Sequence, residues 1–212
     1  DGGWSGRQVL DDRTCDCCQT SSARTADGVI VAYRGRTEDE IRDIRVVRST
    51  AGRWSDPATV HDDRWEIPAC PVNGPSVSAT GDTVALSWFT AADEWPRVLL
   101  ASSRDGGRNF AEPVLIDGDR PLGRVAVSAI EGGALVTWLA AGELETSVLA
   151  RAVGFDGRLG TTMVLGSSSA ERSSGFPVMV TRGREIVAAW TVPGDPQSIR
   201  VTATLLAAPV TE

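Results

Sequence analysis

The sequence predicts an all-β chain folded as a β-propeller, in its simplest form four blades of four antiparallel strands. Three observations predict it. Four segments repeat one pattern at blade-sized intervals, strand-forming stretches flank each of them in the same order, and no stretch combines helical periodicity with caps. The 212 residues are enough for one domain with a sizeable core.

The repeating segments are "DGVIVAYR", "GDTVALSWF", "GGALVTWL" and "GREIVAAWT". Each begins at a turn, runs through β-branched and small residues, and ends on an aromatic: Tyr33, Trp88, Trp138 and Trp190. The gaps between these aromatics are 55, 50 and 52 residues, a period that suits one four-stranded blade better than a helical repeat.

The remaining strands follow in order. "PSVSAT", "RVAVSAI" and "FPVMVT" precede the second, third and fourth segments and read as inner strands. "DIRVVRS", "RVLLASS", "TSVLARA" and "SIRVTAT" follow as third strands. "WSDPATVHD" (from Trp54) and "FAEPVLIDG" (from Phe110) are matching outer strands, and "LGTTMVLG" (from Leu159) is a weaker copy. The fourth repeat has none, but "WSGRQVLDD", from Trp4, has the same form. The expectation is that this N-terminal strand closes the last blade and hides its edge. The blades are then about 13–62, about 70–117, about 122–166, and about 172–206 plus 4–11. The alternative is a fragment of a larger, six-bladed propeller.

Between the third and outer strands of the second blade lies "SRDGGRNF", Ser103 to Phe110. It resembles the Asp-box, Ser-x-Asp-x-Gly-x-x-aromatic, of sialidase-like (BNR-repeat) β-propellers. "STAGRW" at Ser49, "GFDGRLG" at Gly154 and "DGGW" at Asp1 look like worn copies. The box is expected to be a tight turn, with Asp105 accepting backbone N–H groups, Gly106 and Gly107 at positive φ, and Phe110 packed between strands. It is a folding element and carries no function.

Strand alternation puts the opposite face in charge of the chemistry. "RTCDCCQT", "RGRTEDEIRD", "HDDRWEIPACPVNG", "TAADEWP", "DGDRPLGR" and "SSSAERSSGF" all belong there. Loops on a rigid scaffold are where binding residues concentrate. Arg34 follows the first repeat where the others carry Phe89, Leu139 and Thr191. Arg34, Arg36, Arg42 and Arg124 are the expected anion- or carboxylate-binding groups, with Glu40 and Asp43 orienting them, because guanidinium forks match carboxylates. Trp65 and Trp95 are expected to stack a sugar or cofactor ring. His61, the single His, reads as structural.

Cys15 and Cys70 each lie 18 residues before their blade's aromatic, so they are expected to be neighbours in adjacent blades. Joining Cys70 to Cys15, Cys17 or Cys18 would close a loop of about 55 residues and stabilise by roughly 4 kcal/mol on chain entropy. Two rivals remain open: a thiolate site for copper or zinc at Cys15, Cys17, Cys18 and Cys70, and reactive free thiols.

The sialidase resemblance implies an arginine triad, a Tyr nucleophile paired with Glu, and an Asp acid/base. Arg172 and Glu38 join the candidates on that reading. Tyr33 is the only Tyr, however, and it occupies the repeated core-aromatic position. Glu66 stands where an Arg-Ile-Pro signature needs Arg, and there is material for four blades rather than six. The expected function is therefore a non-catalytic binding module for a small anionic or carbohydrate-like ligand, with a sialidase-like glycoside hydrolase as the alternative.

The net charge of −7 argues against a nucleic-acid partner, and no apolar run is long enough for a membrane helix. The chain has no initiator Met and reads as a mature or trimmed product. Four Cys and an Arg-only set of basic side chains beside His61 suit a secreted or periplasmic bacterial protein. Oligomeric state is not legible.

Overall fold

The structure is a computed structural model, which describes residues 6–142 and 145–206. Four antiparallel sheets succeed one another along the chain. The first holds β1 (Ser21–Arg24), β2 (Gly28–Arg34) and β3 (Ile44–Thr50), with a divided outer edge of β4 (Arg53–Trp54) and β5 (Ala58–Thr59). The second runs β6 (Ser76–Thr80), β7 (Thr83–Thr90), β8 (Arg97–Ser103) and β9 (Val114–Asp117). The third runs β10 (Pro121–Ile130), β11 (Gly133–Ala141), β12 (Thr146–Gly154) and β13 (Met163–Ser168). The fourth has three strands, β14 (Val178–Arg182), β15 (Glu185–Val192) and β16 (Ser198–Leu205). Among the described residues the only helical pieces are two short 3-10 turns, Ala92–Glu94 and Arg172–Ser174. Among the described residues no helix is long and apolar enough to cross a membrane.

The second strands of the middle two sheets, β7 and β11, are buried on both sides because sheets cover both sides. Val84, Leu86 and Trp88 of β7 pack toward the first sheet, while Ala85 and Phe89 pack toward the third. Trp138 of β11 joins the core between the second and third sheets, and Trp190 of β15 the core between the third and fourth. Each repeated aromatic also meets an acceptor at the end of an outer segment. Trp88 donates to Asp63 (2.6 Å), Trp138 to Asp117 (2.6 Å), Trp190 to the Ser167 carbonyl (2.9 Å), and the Tyr33 hydroxyl to Asp11 (2.7 Å). A buried indole N–H without a partner would cost free energy, so these acceptors complete the aromatic positions.

The inner strands of neighbouring sheets are joined by hydroxyls. The Val77 N–H donates to Ser21 Oγ, and the Val127 and Ala129 N–H groups donate to Ser76 and Ser78 Oγ, each at 3.0 Å. Ser128 and Thr181 pair at 2.7 Å between the third and fourth sheets.

One detail differs from expectation. Residues 6–10 form no strand and pair with nothing in the fourth sheet; Trp4 and Ser5 fall outside the described residues. The segment is drawn to the first sheet instead, where Asp11 accepts from Tyr33 and from Arg45 (3.0 Å). Asp11 thus relates to the first sheet as Asp63 relates to the second and Asp117 to the third. The expected pairing with β16 is not formed by the described residues.

Candidate functional site

The segments leading into β1 and β6 bring the cysteines together. Cys17 and Cys70 form a disulfide across 53 residues, which staples the first sheet to the second as anticipated. Gln19 reinforces the same seam by exchanging two hydrogen bonds with the backbone of Gly74. No bond forms within the triplet: Cys15 is a buried free thiol and Cys18 a half-buried one. Cys15 Sγ lies 3.2 Å from Cys18 Sγ and 3.5 Å from Cys17 Sγ. Arg42 Nη1 donates to Cys15 Sγ at 3.1 Å. Burial, and then the neighbouring Cys15 sulfur, push the Cys18 thiol up to about 11, so it is a protonated donor at neutral pH. The sulfurs of Cys15, Cys17 and Cys18 lie within 4.8 Å of one another. With Cys17 in a disulfide, however, only two thiols are left, which does not fit the four ligands of a structural zinc site.

The arginines divide into two groups. Arg34 is 1% exposed. Its Nε donates to the Asn73 carbonyl (2.8 Å), Nη1 to that of Arg42 (2.5 Å) and Nη2 to that of Phe89 (2.6 Å). Its guanidinium carbon also sits 4.9 Å from the Trp65 ring centroid. Arg124 is likewise buried. Its side chain donates to the Ser174 hydroxyl and to the Gly175 (3.2 Å) and Ala170 (3.4 Å) carbonyls, and its own N–H donates to Asn73 Oδ1 (2.7 Å). These two guanidiniums tie sheets together through backbone carbonyls. Their donors face protein rather than solvent, unlike those expected of a ligand-binding group.

Arg36 is the accessible one. It forks onto Glu40, with Nη2 to Oε1 at 2.6 Å and Nε to Oε2 at 3.0 Å, and Arg42 Nη2 reaches the same Oε2 at 2.8 Å. The guanidinium of Arg36 first, then that of Arg42, hold the Glu40 carboxyl down at about 2. Arg36, Glu40, Arg42 and Cys15 therefore form one continuous polar chain. Asp43 is buried and accepts the N–H groups of Arg64 (3.0 Å) and Trp65 (3.1 Å), which fixes the turn there; burial raises its pKa.

Beside that chain opens a cleft of about 330 Å³, lined by Arg36, Arg45, Arg64, Asp43, Asp62 and Ile41 among others. It gathers Arg36 and Asp43 from the expected set and adds Arg45, Arg64 and Asp62, which sequence reasoning missed. Arg45 stands opposite Tyr33 in the β2–β3 register. The aromatic expectations fail to join the cleft. Trp65 is buried edge-on against Phe89. Trp95 is half-exposed but donates to the Gly118 carbonyl and stacks with Arg97. His61 bonds Asp63, the Trp88 acceptor, in keeping with a structural role.

Two further groups bear on catalysis. Tyr33 is buried, and burial first and the Asp11 bond second raise its pKa, the opposite of what a phenolic nucleophile needs. At the far end of the second sheet, Asp105 Oδ1 accepts the Arg108 (2.9 Å) and Asn109 (3.0 Å) N–H groups and the Ser103 hydroxyl. Gly107, at φ +81°, has no room for a Cβ against Ile30. That turn has the geometry expected of it and stands apart from the cysteines.

No protein-family model matches the sequence, and no curated protein matches it. Similarity is found in solved structures. A GH43 glycoside hydrolase from Bacillus licheniformis superposes with a TM-score of 0.59 at 12% identity, over 91% of this chain and 40% of that one. A Hadza microbial sialidase gives 0.56 at 16% identity, over 91% and 46%. A GH43 protein of a xyloglucan locus in Bacteroides ovatus gives 0.55 at 13% identity, over 97% and 43%. These likenesses define the class of fold, a β-propeller of the kind used by glycoside hydrolases. The chain spans less than half the length of each of these structures.

Proposed function

We propose that this chain is a non-catalytic binding module for an anionic, carbohydrate-class ligand, taken up in the cleft of Arg36, Arg45 and Arg64. The observation that carries this reading is the convergence of three guanidiniums on one open cleft. Arg36 is held by Glu40 and Arg45 by Asp11, while no ion pair among the described residues engages Arg64. Asp43 faces its two backbone N–H donors, so Asp62 is the carboxylate left beside the three arginines of the cleft. The likeness to carbohydrate-active propellers supports the ligand class, and the disulfide supports a secreted or periplasmic setting. The raised pKa of Tyr33 speaks against the sialidase-like alternative.

Titration calorimetry with glucuronate- and sialate-terminated oligosaccharides tests the proposal. Arg64→Glu and Arg36→Glu should each weaken binding about tenfold or more, the equivalent of one charge-assisted contact, with the circular dichroism spectrum unchanged. Equal affinity in wild type and both variants would overturn it. Turnover of a fluorogenic sialoside by the wild type would instead establish the hydrolase reading.

A further inference from the structure

We propose that the four cysteines form a thiol–disulfide exchange centre, in which the Cys15 sulfur attacks Cys17 of the Cys17–Cys70 bond and releases Cys70. The co-substrate class is a dithiol, whose oxidation would balance reduction of the protein disulfide.

The geometry assigns Cys15 as the internal nucleophile. Its sulfur is 3.5 Å from the Cys17 sulfur, close to van der Waals contact and well inside the protein. Two donors converge on it: the Arg42 guanidinium at 3.1 Å and the Cys18 sulfur at 3.2 Å. Cys18 keeps its proton at neutral pH and so supplies S–H rather than a competing charge. The guanidinium and the second thiol fix the Cys15 sulfur against Cys17, and the thiolate is the attacking species in exchange. Arg34, fully buried close by, adds positive charge beneath the cluster.

The step balances without any added oxidant. The Cys15 thiolate forms a bond to Cys17 Sγ, the Cys17–Cys70 bond breaks, and its electron pair leaves on Cys70 Sγ. Cys70 is half-buried at the protein surface, where water can protonate it. Cys18 can repeat the move on Cys15, giving up its proton to the departing Cys17 sulfur, which frees Cys17 as a thiol and leaves the disulfide between Cys15 and Cys18. Two electrons' worth of disulfide thus migrates from a bond between sheets to one within the triplet. A purely structural staple has no need of a free thiol packed against one of its sulfurs, itself held by a second thiol and a guanidinium.

Alkylation of the native wild-type protein without reductant tests the proposal. The protein is treated with maleimide from pH about 6 to about 9, across the range in which thiols ionise, and its peptides are mapped by mass spectrometry. Labelled Cys70 should appear together with a Cys15–Cys17 or Cys15–Cys18 disulfide, and should increase with pH. Cys15→Ser should abolish Cys70 labelling, while Cys18→Ser should preserve it. Arg42→Met, which removes the donor that holds the Cys15 sulfur in place, should slow Cys70 labelling about tenfold, the scale of one charge-assisted contact. Cys70 left unlabelled in the wild type while Cys18 reacts would overturn the proposal, even if Cys15→Ser fails to fold. So would stoichiometric copper or zinc on the cysteines of the protein as isolated.

Discussion

The seam between the second and third sheets and the outer side of the fourth sheet are built from similar sequence and meet opposite fates. β7 and β15 both carry small or apolar residues on both faces, as "TVALSWFT" and "EIVAAWTV". In β7 both faces are buried. In the fourth sheet, Ile186, Ala188 and Trp190 are buried against the third sheet, while the other face turns Val178, Val180, Ile199, Val201 and Leu205 outward, each more than 60% exposed. The lesson is that a two-sided apolar strand records a capacity to be covered. Which side is covered depends on the neighbour. It also separates two kinds of stabilisation: the seams are held by buried indoles and guanidiniums with named acceptors, whereas the open face holds nothing.

The contrast is broken most directly at a seam indole. Trp138→Ala should cost about 3–5 kcal/mol in chemical denaturation, because it empties a fully buried site and strands Asp117. A cost below about 1 kcal/mol would mean the seam is looser than its packing. Arg34→Met should come next, at about 2–3 kcal/mol, the scale of hydrogen bonds to a charged group. It leaves the carbonyls of Asn73, Arg42 and Phe89 without their donor. Thermal melts of the variant against wild type measure it.

A smaller effect is expected at Glu40, on the rim of the first seam. Its folded pKa lies below its ordinary value, so its contribution is complete above pH about 4.5 and is lost as pH falls through about 2. Glu40→Gln should flatten that acid limb of the melting profile and leave neutral pH little changed; an identical acid limb in both proteins would contradict the pairing. The smallest effect belongs to the open face. Val201→Thr should alter stability by no more than about 0.5 kcal/mol. A larger cost, together with concentration-dependent sedimentation of the wild type, would reveal that this face is covered in solution.

Much of the fold was legible because it repeats. The aromatic period located all four sheets, and alternation located their strands. The Asp partners of the aromatics were also in view, at the ends of "QVLDD", "ATVHDD" and "VLIDGD", but their role emerges only when indole and carboxylate meet across a seam. The site was less legible. Arg34 departs from the repeat, and that departure was real, yet it recruits the residue for backbone carbonyls. Sequence shows that a charge is present; it does not show whether water or a carbonyl faces it. Arg45 and Arg64 were passed over for the converse reason, since a strand residue and a turn residue give no sign of facing one cleft. A bond from Cys70 to one of the first three cysteines followed from equivalent positions in adjacent repeats, whereas the choice of Cys17 and the two leftover thiols required coordinates.

The serine hydroxyls between inner strands carry one further implication. Ser21, Ser76 and Ser78 accept a backbone N–H from the next sheet, where a continuous sheet would offer a carbonyl. Short hydroxyl links of this kind stand between the first and second sheets and between the second and third, beside the disulfide and the buried guanidiniums, and their reach limits how far one sheet can fan away from the next. The spacing of these sheets is written partly in the length of a hydroxymethyl group, so a change of one atom at these three positions would shift the loops between the first three sheets.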